Sequence, residues 1–378
     1  MDSSAESLTQ SWTGLKRTLV TGGAGFIGGH LVHLLHKLHV DTIVLDDLST
    51  GRLENLPHDG EDCDFVRGDI CDRDVLTRII RDSDLVIHLA SVVGTTQVSD
   101  NFLKTIQTNI HGVQLIAEVC SQFEVPLVYV SSSAVYRPQD GAGAIHCDES
   151  ACVHAVGQHP ASIYGDSKRL GELICDAYRR TRGLRYLILR PFNLIGPRQS
   201  AAYGMVVPTF IRYALDGQTL PIHGDGMQKR TFSDVRQAVD LMWSLVMRTR
   251  WDGQIFNLAA NEEPISIMEL ADTVARAAGC AVSYRFIPYE DAFGQGYQDV
   301  QYRRPSTAKL RRLLGPWKPI PLESTIRDIC SHHRSQRVSS VKVTWEVQHA
   351  SADDALPVPG HGNPNTGRDE ALGSARHQ

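Results

Sequence analysis

The sequence predicts an α/β fold with a Rossmann-type doubly wound parallel sheet and a smaller mixed α/β lobe in the C-terminal half. Between Arg17 and Arg190, the short apolar runs RTLVT, TIVLD, DFVRGD, DLVIHLA, PLVYVS and RYLILR alternate with segments of helical period. The runs are almost continuously apolar, which is typical of strands buried on both faces. Each segment between them is long enough for a right-handed crossover. This alternation predicts a parallel sheet covered by helices on both sides.

The predicted order of regions is a polar N-terminal extension over residues 1–16, the sheet domain over 17–190, a second lobe over 191–334 and a tail over 335–378. After Arg190 the turn-rich segment DGQTLPIHGDGMQKR interrupts the rhythm, and helices are expected near Val235 to Arg250 and Ser266 to Ala278. Some later segments are expected to return to the first domain. The tail is rich in Ser, Asp, Gly, Pro and His, which predicts disorder.

Composition and charge argue against several classes of protein. The 378 residues are 42% hydrophobic and 21% charged, enough to bury a large core without disulfides or metals. A net charge of -5 offers no basic surface, so nucleic acid is not an expected partner. The eight cysteines form no C-x-x-C pair, so we expect reduced, buried thiols and no metal site. No apolar run approaches the roughly 18 residues of a membrane helix and the N-terminus is polar, so a cytoplasmic protein without membrane contact is expected.

A glycine-rich turn follows the first predicted strand. In TGGAGFIGGHL, Gly22, Gly25 and Gly28 have the spacing G-x-x-G-x-x-G, with Phe26 and Ile27 between the last two. This spacing permits a tight turn and brings a pyrophosphate close to the N-terminus of the next helix. A glycine-rich turn is weak evidence alone, but this one follows a strand and opens an amphipathic helix at the start of the sheet. The pattern predicts a dinucleotide site.

Asp46 ends the second predicted strand, 18 residues after Gly28. A carboxylate at this distance can accept hydrogen bonds from both hydroxyls of an adenosine ribose. A 2′-phosphate would be repelled by Asp46 and by its neighbour Asp47, so the pair favours NAD over NADP. Leu48 and Ser49 complete the predicted cofactor segment. The alternative is that Asp46 merely caps the following turn.

Tyr164 and Lys168 form a Y-x-x-x-K pair, and this spacing places both side chains on one face of a helix. A free phenol titrates near pH 10, but a nearby ammonium and the positive ring of oxidised nicotinamide would stabilise its phenolate. The run VSSSAVY delivers Ser131, Ser132 and Ser133 to the carboxyl edge of the sheet, where ligands bind. The alternatives are a surface tyrosine over a solvated lysine, and serines that only cap a helix.

Together these residues resemble the NAD-dependent sugar-nucleotide epimerase/dehydratase family of the extended short-chain dehydrogenase/reductase superfamily, which includes UDP-galactose 4-epimerase. The resemblance extends from about Arg17 to Ile329. It comprises, in order, TGGAGFIG, Asp46, GDI at 68–70, HLAS at 88–91, TNIHG around Asn109, SSSAVY, YGDSK and RPFNLIGPRQ at 190–199.

The resemblance implies roles for further residues. Besides Tyr164 and Lys168, it implies that the cofactor is contacted by Asp69, Ile70, Leu89, Ala90, Ser91, Asn109, Ser131 and Pro191. Ser132, four residues before Tyr136, would be the catalytic hydroxyl, and Ser132, Ser133 and Tyr164 would face the sugar. Asn193, Val207, Pro208, Arg230 and Arg303 or Arg304 would bind the nucleotide diphosphate of the substrate. Arginine suits that role because its planar fork pairs with two phosphate oxygens, although each arginine could be a solvated surface charge.

The resemblance also implies a reaction. The Tyr164 phenolate would remove the O4 proton of a UDP-hexose, UDP-hexuronate or UDP-N-acetylhexosamine while hydride passes from C4 to NAD. Return of hydride to the other face of a transient 4-keto sugar would invert C4. Sugar dehydratases place an Asp-Glu pair beside the catalytic hydroxyl, and related decarboxylases usually carry Glu there, but this chain has Ser133 and Ala134. Epimerisation, which needs no such acid, is therefore favoured.

Two other functions stay open: a dehydratase, decarboxylase or oxidoreductase that uses a carboxylate from elsewhere, and a noncatalytic NAD-binding regulator. The chain also departs from the family pattern. RTFSDVRQAV has Arg236 and Gln237 at acidic positions, and VYRPQDGAGAIHCDESA lacks the usual glycine after the tyrosine. The helices expected over Leu103 to Gln122 and Tyr164 to Arg182 resemble those that pair across the family's two-fold axis, so a homodimer is expected.

Overall fold

The computed structural model describes residues 15–57, 63–136, 144–149, 162–295, 297 and 299–350. Within these residues a seven-stranded sheet has the order β12-β7-β5-β4-β1-β2-β3, and all neighbouring strands are parallel. The strands are β1 (Arg17–Thr21), β2 (Asp41–Asp46), β3 (Cys63–Arg67), β4 (Leu85–His88), β5 (Leu127–Val130), β7 (Tyr186–Pro191) and β12 (Gln254–Leu258). The first six are the predicted apolar runs, and β12 is a later segment that returns to the sheet. The predicted doubly wound parallel sheet is confirmed.

Helices pack on both faces of this sheet, and alternate strand residues contribute to two core clusters. Leu19 belongs to one cluster and Val20 to the other, and both are fully buried. The described helices are α1 (Phe26–Lys37), α2 (Arg73–Arg81), α3 (Thr95–Asp100), α4 (Phe102–Ile106), α5 (Val113–Gln122), α6 (Ile163–Arg182), α7 (Val206–Leu215), α8 (Val235–Arg248), α9 (Ile267–Ala278), α10 (Tyr289–Phe293), α11 (Ala308–Leu314) and α12 (Leu322–Ala350). Burial on both faces explains why the strand sequences are continuously apolar rather than alternating.

Among the described residues, three smaller sheets lie outside the central sheet, and all of their strands except β6 come from the second half of the chain. One has the order β13-β10-β15-β6, and the others pair β11 with β8 and β14 with β9. These strands are β6 (Ala144–Cys147), β8 (Leu194–Ile195), β9 (Leu220–His223), β10 (Lys229–Arg230), β11 (Ser233–Asp234), β13 (Ile265–Ser266), β14 (Tyr284–Ile287) and β15 (Tyr302–Pro305). A separate core cluster joins α7, α9 and the start of α12. The second half is thus a mixed α/β region, as predicted.

Helix α8 begins where the family pattern departs in sequence. Asp234 caps it by accepting a hydrogen bond from the Arg236 backbone N at 2.8 Å. The Arg236 guanidinium pairs with Asp234 at 2.6 Å and with Asp328 at 2.7 Å, so the unusual arginine joins α8 to α12. Gln237 is also engaged, because its side chain bonds the backbone of Lys318 and Ile320. The two unusual residues therefore secure the C-terminal part of the fold.

Helix α12 extends into the segment for which the sequence predicts disorder. It continues to Ala350, and the run from Leu322 to Ala350 contains no glycine or proline to interrupt it. Residues 351–378 and 1–14 lie outside the described residues, as does Cys152, and none of the seven described cysteines forms a disulfide. Three of those seven, Cys63, Cys71 and Cys280, are only partly buried, contrary to expectation. None of the described helices is long and apolar enough to span a bilayer.

Candidate functional site

The glycine turn between β1 and α1 leaves no room for side chains. Gly22 has a φ of +71°, and a Cβ there would lie 2.6 Å from the Ala90 backbone N. A Cβ on Gly28 would lie 2.2 Å from the Gly22 carbonyl oxygen. Gly25 precedes α1, whose N-terminus has no side-chain cap. A tight glycine turn before an uncapped helix N-terminus fits a dinucleotide pyrophosphate, with Phe26 and Ile27 in the first helical turn.

Asp46 is 8% exposed and holds the turns on both sides of it. Its Oδ2 accepts a hydrogen bond from the Ala24 backbone N at 3.0 Å, and its Oδ1 accepts one from the Leu48 N at 2.9 Å. Burial raises the pKa of this carboxyl group, while the two hydrogen bonds lower it. The turn-capping role that was the alternative is therefore real, and it fixes the carboxylate beside the glycine turn. The ribose contact of Asp46 stays a prediction.

A lysine that the sequence argument missed lies beside the predicted adenosine end. The Lys104 Nζ lies 3.4 Å from Asp69 Oδ2 and 3.9 Å from Asp47 Oδ2. Asp69 also accepts a hydrogen bond from the Cys71 backbone N at 2.9 Å, and Asp47 accepts one from the Ser49 N at 2.9 Å. Although partial burial raises the pKa of Asp69, the Cys71 and Lys104 contacts lower it overall. Ile70, beside Asp69, is 5% exposed.

Asn109 fastens the loop after β4 to helix α6. It lies in a π-helical stretch, Gln107–Gly112, a form often found at functional sites. Its Oδ1 accepts hydrogen bonds from the Val92 N at 2.8 Å and the Ser91 hydroxyl at 3.1 Å, and its Nδ2 donates to the Ser167 hydroxyl at 3.2 Å. The Ser167 hydroxyl donates to the Tyr164 carbonyl at 2.8 Å. The loop that contains Leu89, Ala90 and Ser91 is thus held against the catalytic helix.

The three predicted catalytic residues meet at the carboxyl end of β5. Tyr164 and Lys168 lie on α6, and Ser132 is close enough to the Tyr164 phenol to lower its pKa. The Lys168 Nζ donates to the Val130 carbonyl at 2.9 Å and lies 6.0 Å from the centre of the Tyr164 ring. Lys168 is 4% exposed. The Y-x-x-x-K pair therefore faces the sheet edge rather than solvent.

Burial disfavours the charged forms of both members of this pair. Burial raises the pKa of the Tyr164 phenol, and the hydrogen bond with Ser132 counteracts this rise only in part. Burial lowers the pKa of the Lys168 ammonium to about 7, although the Glu172 carboxylate favours the charged form. Burial therefore disfavours the charged forms of both groups, and stabilisation of the phenolate by Lys168 together with the positive ring of oxidised nicotinamide stays a prediction.

The three serines have different environments. Ser132 caps a short 3-10 turn by accepting a hydrogen bond from the Ala134 N at 3.1 Å, so the capping alternative also holds for it. The Ser131 hydroxyl donates to Glu172 Oε1 at 2.7 Å, and Ser133 is 5% exposed. Glu172 was missed by the sequence argument, although its position four residues after Lys168 places it on the same helix face. Of these three serines, only Ser132 affects the pKa of the Tyr164 phenol.

The candidate phosphate-binding arginines differ in their partners. Arg230 Nη2 pairs with Asp299 at 2.7 Å, and Arg304 is bonded to the Glu262 carbonyl at 3.2 Å and lies 3.7 Å from Glu263. The buried Nε of Arg303, by contrast, has no hydrogen-bond partner among the described residues. Burial and the charge of Arg230 lower the pKa of Arg303. Arg230 and Arg304 thus have carboxylate partners already, whereas Arg303 has a buried donor that a ligand oxygen could satisfy.

The remaining predicted substrate residues lie in the same half of the chain. Asn193 has a φ of +29°, and its Nδ2 donates to the Thr231 carbonyl at 2.8 Å, next to Arg230. Val207 and Pro208 are buried in the first turn of α7. Pro191 ends β7 at the carboxyl edge of the sheet. Most of the loop after Tyr136, which lacks the usual glycine, lies outside the described residues.

Known proteins are similar to this chain over most of its length. A UDP-N-acetyl-alpha-D-glucosaminuronate decarboxylase of Bacillus cytotoxicus is 29% identical over 79% of this chain and 91% of that protein. A putative UDP-glucose 4-epimerase of Methanocaldococcus jannaschii is 34% identical over 69% of this chain and 82% of that protein. The crystal structure of Thermus thermophilus UDP-glucose 4-epimerase in complex with NAD has a TM-score of 0.70 and 27% identity, covering 84% of this chain and 99% of that one.

The family model of the NAD dependent epimerase/dehydratase family matches residues 18–259, from the first strand of the central sheet to the last. This match covers more than half of the chain and includes the glycine turn, Asp46, the serine cluster and the Tyr164–Lys168 pair. It agrees with the resemblance that the sequence motifs indicate. The protein therefore belongs to the NAD dependent epimerase/dehydratase family, and its cofactor is NAD.

Proposed function

We propose that this protein is an NAD-dependent nucleotide-sugar epimerase that inverts C4 of a UDP-hexose, or of a UDP-hexuronate or UDP-N-acetylhexosamine. The observation that carries the proposal is the meeting of Ser132, Tyr164 and Lys168 at one sheet edge, beside the small apolar side chain of Ala134. A hydroxyl, a phenol and an ammonium can move one proton to and from a sugar hydroxyl. Ala134 has no acid for the elimination of water.

Each residue of the site has a definite task in this proposal. Bound NAD supplies the acceptor and donor of hydride, held by the glycine turn and the Asp46 segment. Tyr164 removes the O4 proton as a base and returns it as an acid, and Ser132, which lies near the phenol, holds the same sugar hydroxyl. Lys168, when its amine is protonated, stabilises the phenolate. Because its pKa is about 7, this support decreases as the pH rises above neutrality.

The substrate is held at its diphosphate by Arg303 and Arg230 in this proposal. Support comes from the buried Nε of Arg303, which has no hydrogen-bond partner among the described residues, and from the like charge of Arg230 nearby. A phosphate oxygen would supply the missing partner, and the guanidinium fork suits such oxygens. Asn193 holds the segment next to Arg230, and Val207 and Pro208 hold the first turn of α7, which would adjoin the base.

A decarboxylase acting on a UDP-hexuronate is the second candidate. Similarity to the Bacillus cytotoxicus decarboxylase over 79% of the chain favours it. The decarboxylase candidate lacks support at position 134, where this chain has an alanine instead of the expected glutamate. A carboxylate from elsewhere would therefore be needed. A dehydratase or oxidoreductase has the same difficulty. A noncatalytic NAD-binding regulator is disfavoured by the intact group of Ser132, Tyr164 and Lys168.

The proposal is tested by incubating purified protein with UDP-glucose, UDP-N-acetylglucosamine and UDP-glucuronate and separating the products. We expect the C4 epimer of at least one of them, with no net accumulation of NADH. Release of carbon dioxide, loss of water or a stable keto sugar as the sole product would instead assign the second class. As a control, Tyr164→Phe should abolish turnover while the protein still retains NAD.

We also propose that the protein forms a homodimer through α4 and α6. Support comes from four apolar side chains on these two helices, Leu103, Ile106, Leu170 and Leu173, which are 83%, 43%, 45% and 47% exposed. The two helices contact each other, so the four side chains belong to one region of the surface. A second copy of the chain is the proposed partner because these helices match those expected to pair across the family's two-fold axis. Covering such a patch is favourable.

A further inference from the structure

A chain of buried hydrogen bonds runs from the catalytic helix into the sheet. The Ser131 hydroxyl, at the end of β5, donates to Glu172 on α6 at 2.7 Å. Glu172 accepts two hydrogen bonds from Arg190 on β7, from Nε and Nη2, each at 2.8 Å. Glu172 and Arg190 are each 1% exposed. This two-point pairing satisfies both buried charges, which would otherwise be strongly destabilising.

The same network of hydrogen bonds continues to the second half of the molecule. Arg190 Nη1 donates to the Tyr136 hydroxyl at 2.8 Å, and that hydroxyl donates to Asn257 Oδ1 at 2.8 Å. The Arg190 guanidinium also lies over the Tyr136 ring, 4.8 Å from its centre. Tyr136 is fully buried and lies four residues after Ser132 on the same short turn. A shift of Tyr136 would therefore be transmitted directly to the catalytic serine.

Asn257, on β12, connects this hydrogen-bond network to the sheet that contains Arg303, the proposed phosphate-binding arginine. Its Nδ2 donates to the Cys147 carbonyl at 3.0 Å and to the Ser306 carbonyl at 3.2 Å. Cys147 ends β6, and Ser306 directly follows β15, the strand that includes Arg303. Asn257 is fully buried, and its side chain uses both amide hydrogens and the amide oxygen. One side chain therefore joins the central sheet to the sheet of Arg303.

The polar and charged residues of this hydrogen-bond network indicate a positioning role. A hydrophobic interior would hold the two sheets together without two buried charges and their desolvation cost. Hydrogen bonds have directional geometry, so they fix relative position more narrowly than apolar contacts do. The hydrogen-bond network joins two sites that must act on one substrate. Ser132 and Tyr164 act at the sugar, and Arg303 acts at the diphosphate. A substrate of fixed length requires a fixed separation between them.

We propose that Tyr136 and Asn257 are positioning residues that hold Arg303 at the correct distance from the Ser132–Tyr164–Lys168 group. They contact neither substrate nor cofactor in this proposal, and they act through the turn of Ser132 and through strand β15. The inference rests on the proposed nucleotide-sugar function and adds to it the residues that align its two halves.

The test uses Tyr136→Phe and Asn257→Asp in the full-length protein with its NAD. Tyr136→Phe removes only the hydroxyl that joins Arg190 to Asn257. Asn257→Asp keeps an acceptor for the Tyr136 hydroxyl but removes the two donors to Cys147 and Ser306. Tyr186→Phe is the matched control, because Tyr186 is a buried tyrosine of the same sheet whose hydroxyl bonds Asp176 instead. UDP affinity, KM, kcat, NAD content and urea stability are measured for each.

We expect both variants to bind UDP about tenfold more weakly and to show a raised KM and a lowered kcat for the UDP-sugar that the wild type converts. NAD content should stay at the wild-type level, and Tyr186→Phe should match the wild type in UDP affinity. The proposal would be overturned if both variants lost only stability while UDP affinity, KM and kcat stayed within twofold of the wild type. The proposal would also be overturned if neither variant folded, since the hydrogen-bond network would then serve folding alone. Absence of UDP binding by the wild type would instead overturn the nucleotide-sugar function itself.

Discussion

Lys168 is 4% exposed and bonded to the Val130 carbonyl, and burial lowers its pKa to about 7. The same burial raises the pKa of Tyr164. These shifts favour a protonated phenol at neutral pH and work against the charge of the lysine. This state favours holding a proton over removing one. A positive charge added next to the phenol would reverse the balance, which fits a site whose cofactor carries a positive ring when oxidised.

The lowered pKa of Lys168 predicts a pH dependence of stability. Between pH 7 and about 10.4, the ordinary lysine value, the unfolded chain binds a proton that the folded chain does not. The free energy of unfolding of the wild type, relative to Lys168→Met, should therefore rise with pH by up to about 1.4 kcal/mol per unit in this window. Urea unfolding of both proteins at pH 7, 8 and 9 measures this difference. A constant difference would mean that the folded lysine titrates near its ordinary value.

Arg303 predicts a trade-off between stability and binding. Its Nε is buried without a hydrogen-bond partner in the described chain, and Arg230 repels its charge. Arg303→Met should therefore raise the stability of the ligand-free protein by about 1 kcal/mol. It should also weaken UDP binding about tenfold or more, because a charged hydrogen bond is lost. Denaturant unfolding and calorimetry measure the two effects.

Arg304→Met is the matched control for this prediction, because Arg304 already has partners in Glu262 and Glu263. It should change UDP affinity by less than twofold. If Arg304→Met and Arg303→Met weakened UDP binding equally, the distinction between the two arginines would be wrong.

At the level of elements, helix α6 lies unusually close to strand β5. A Cβ on Gly171 would lie 2.1 Å from the Tyr129 hydroxyl oxygen and 2.4 Å from its Cζ. Tyr129 is fully buried and cannot move aside, and its hydroxyl donates to the Lys168 carbonyl at 3.3 Å. The glycine thus sets the depth at which α6, with Tyr164 and Lys168, packs on the sheet. The position of the catalytic pair depends on this close approach.

Gly171→Ala should therefore cost about 2 kcal/mol of stability by overpacking and lower kcat at least tenfold by displacing α6. Steady-state kinetics and urea unfolding measure both losses. Gly183→Ala is a control at the C-terminal cap of the same helix. Gly183 has a φ of +73° with no atom within 4 Å of a Cβ, so alanine there should cost stability through backbone strain alone. Loss of kcat in both variants, or in neither, would contradict the prediction.

At the level of the whole molecule, the exposed apolar side chains on α4 and α6 predict the oligomeric state. Leu103→Asp combined with Leu170→Asp should convert a dimer into a monomer, because buried charges would oppose association. Light scattering with size-exclusion chromatography gives the mass. Met227→Asp is the control, since Met227 is 58% exposed outside both helices and should leave the dimer intact. A wild-type protein that is already monomeric would rule out this interface.

The sequence alone was sufficient to predict the central sheet, the glycine turn and the family, and it proposed the catalytic residues. The runs from RTLVT to RYLILR became strands β1 to β5 and β7, because strands buried on both faces must be apolar throughout. Gly22 and Gly28 were recognisable because their positions tolerate no Cβ. The resulting glycine spacing lies within one short segment of the sequence. Tyr164 and Lys168 were recognisable because helical spacing places them on one face. The family followed from the order of these local patterns along the chain.

Only the tertiary structure distinguished Arg303 from Arg304, assigned the Ser131 hydroxyl to Glu172 and connected Tyr136 to Asn257. It also showed that burial raises the pKa of Tyr164 and lowers that of Lys168. The physical reason is that strand and turn signals are carried by neighbouring residues. The charge state and partners of a buried side chain, in contrast, are decided by groups that folding brings together from distant parts of the chain. Tyr136 and Asn257 are separated by 121 positions, and no local pattern in either segment indicates their contact.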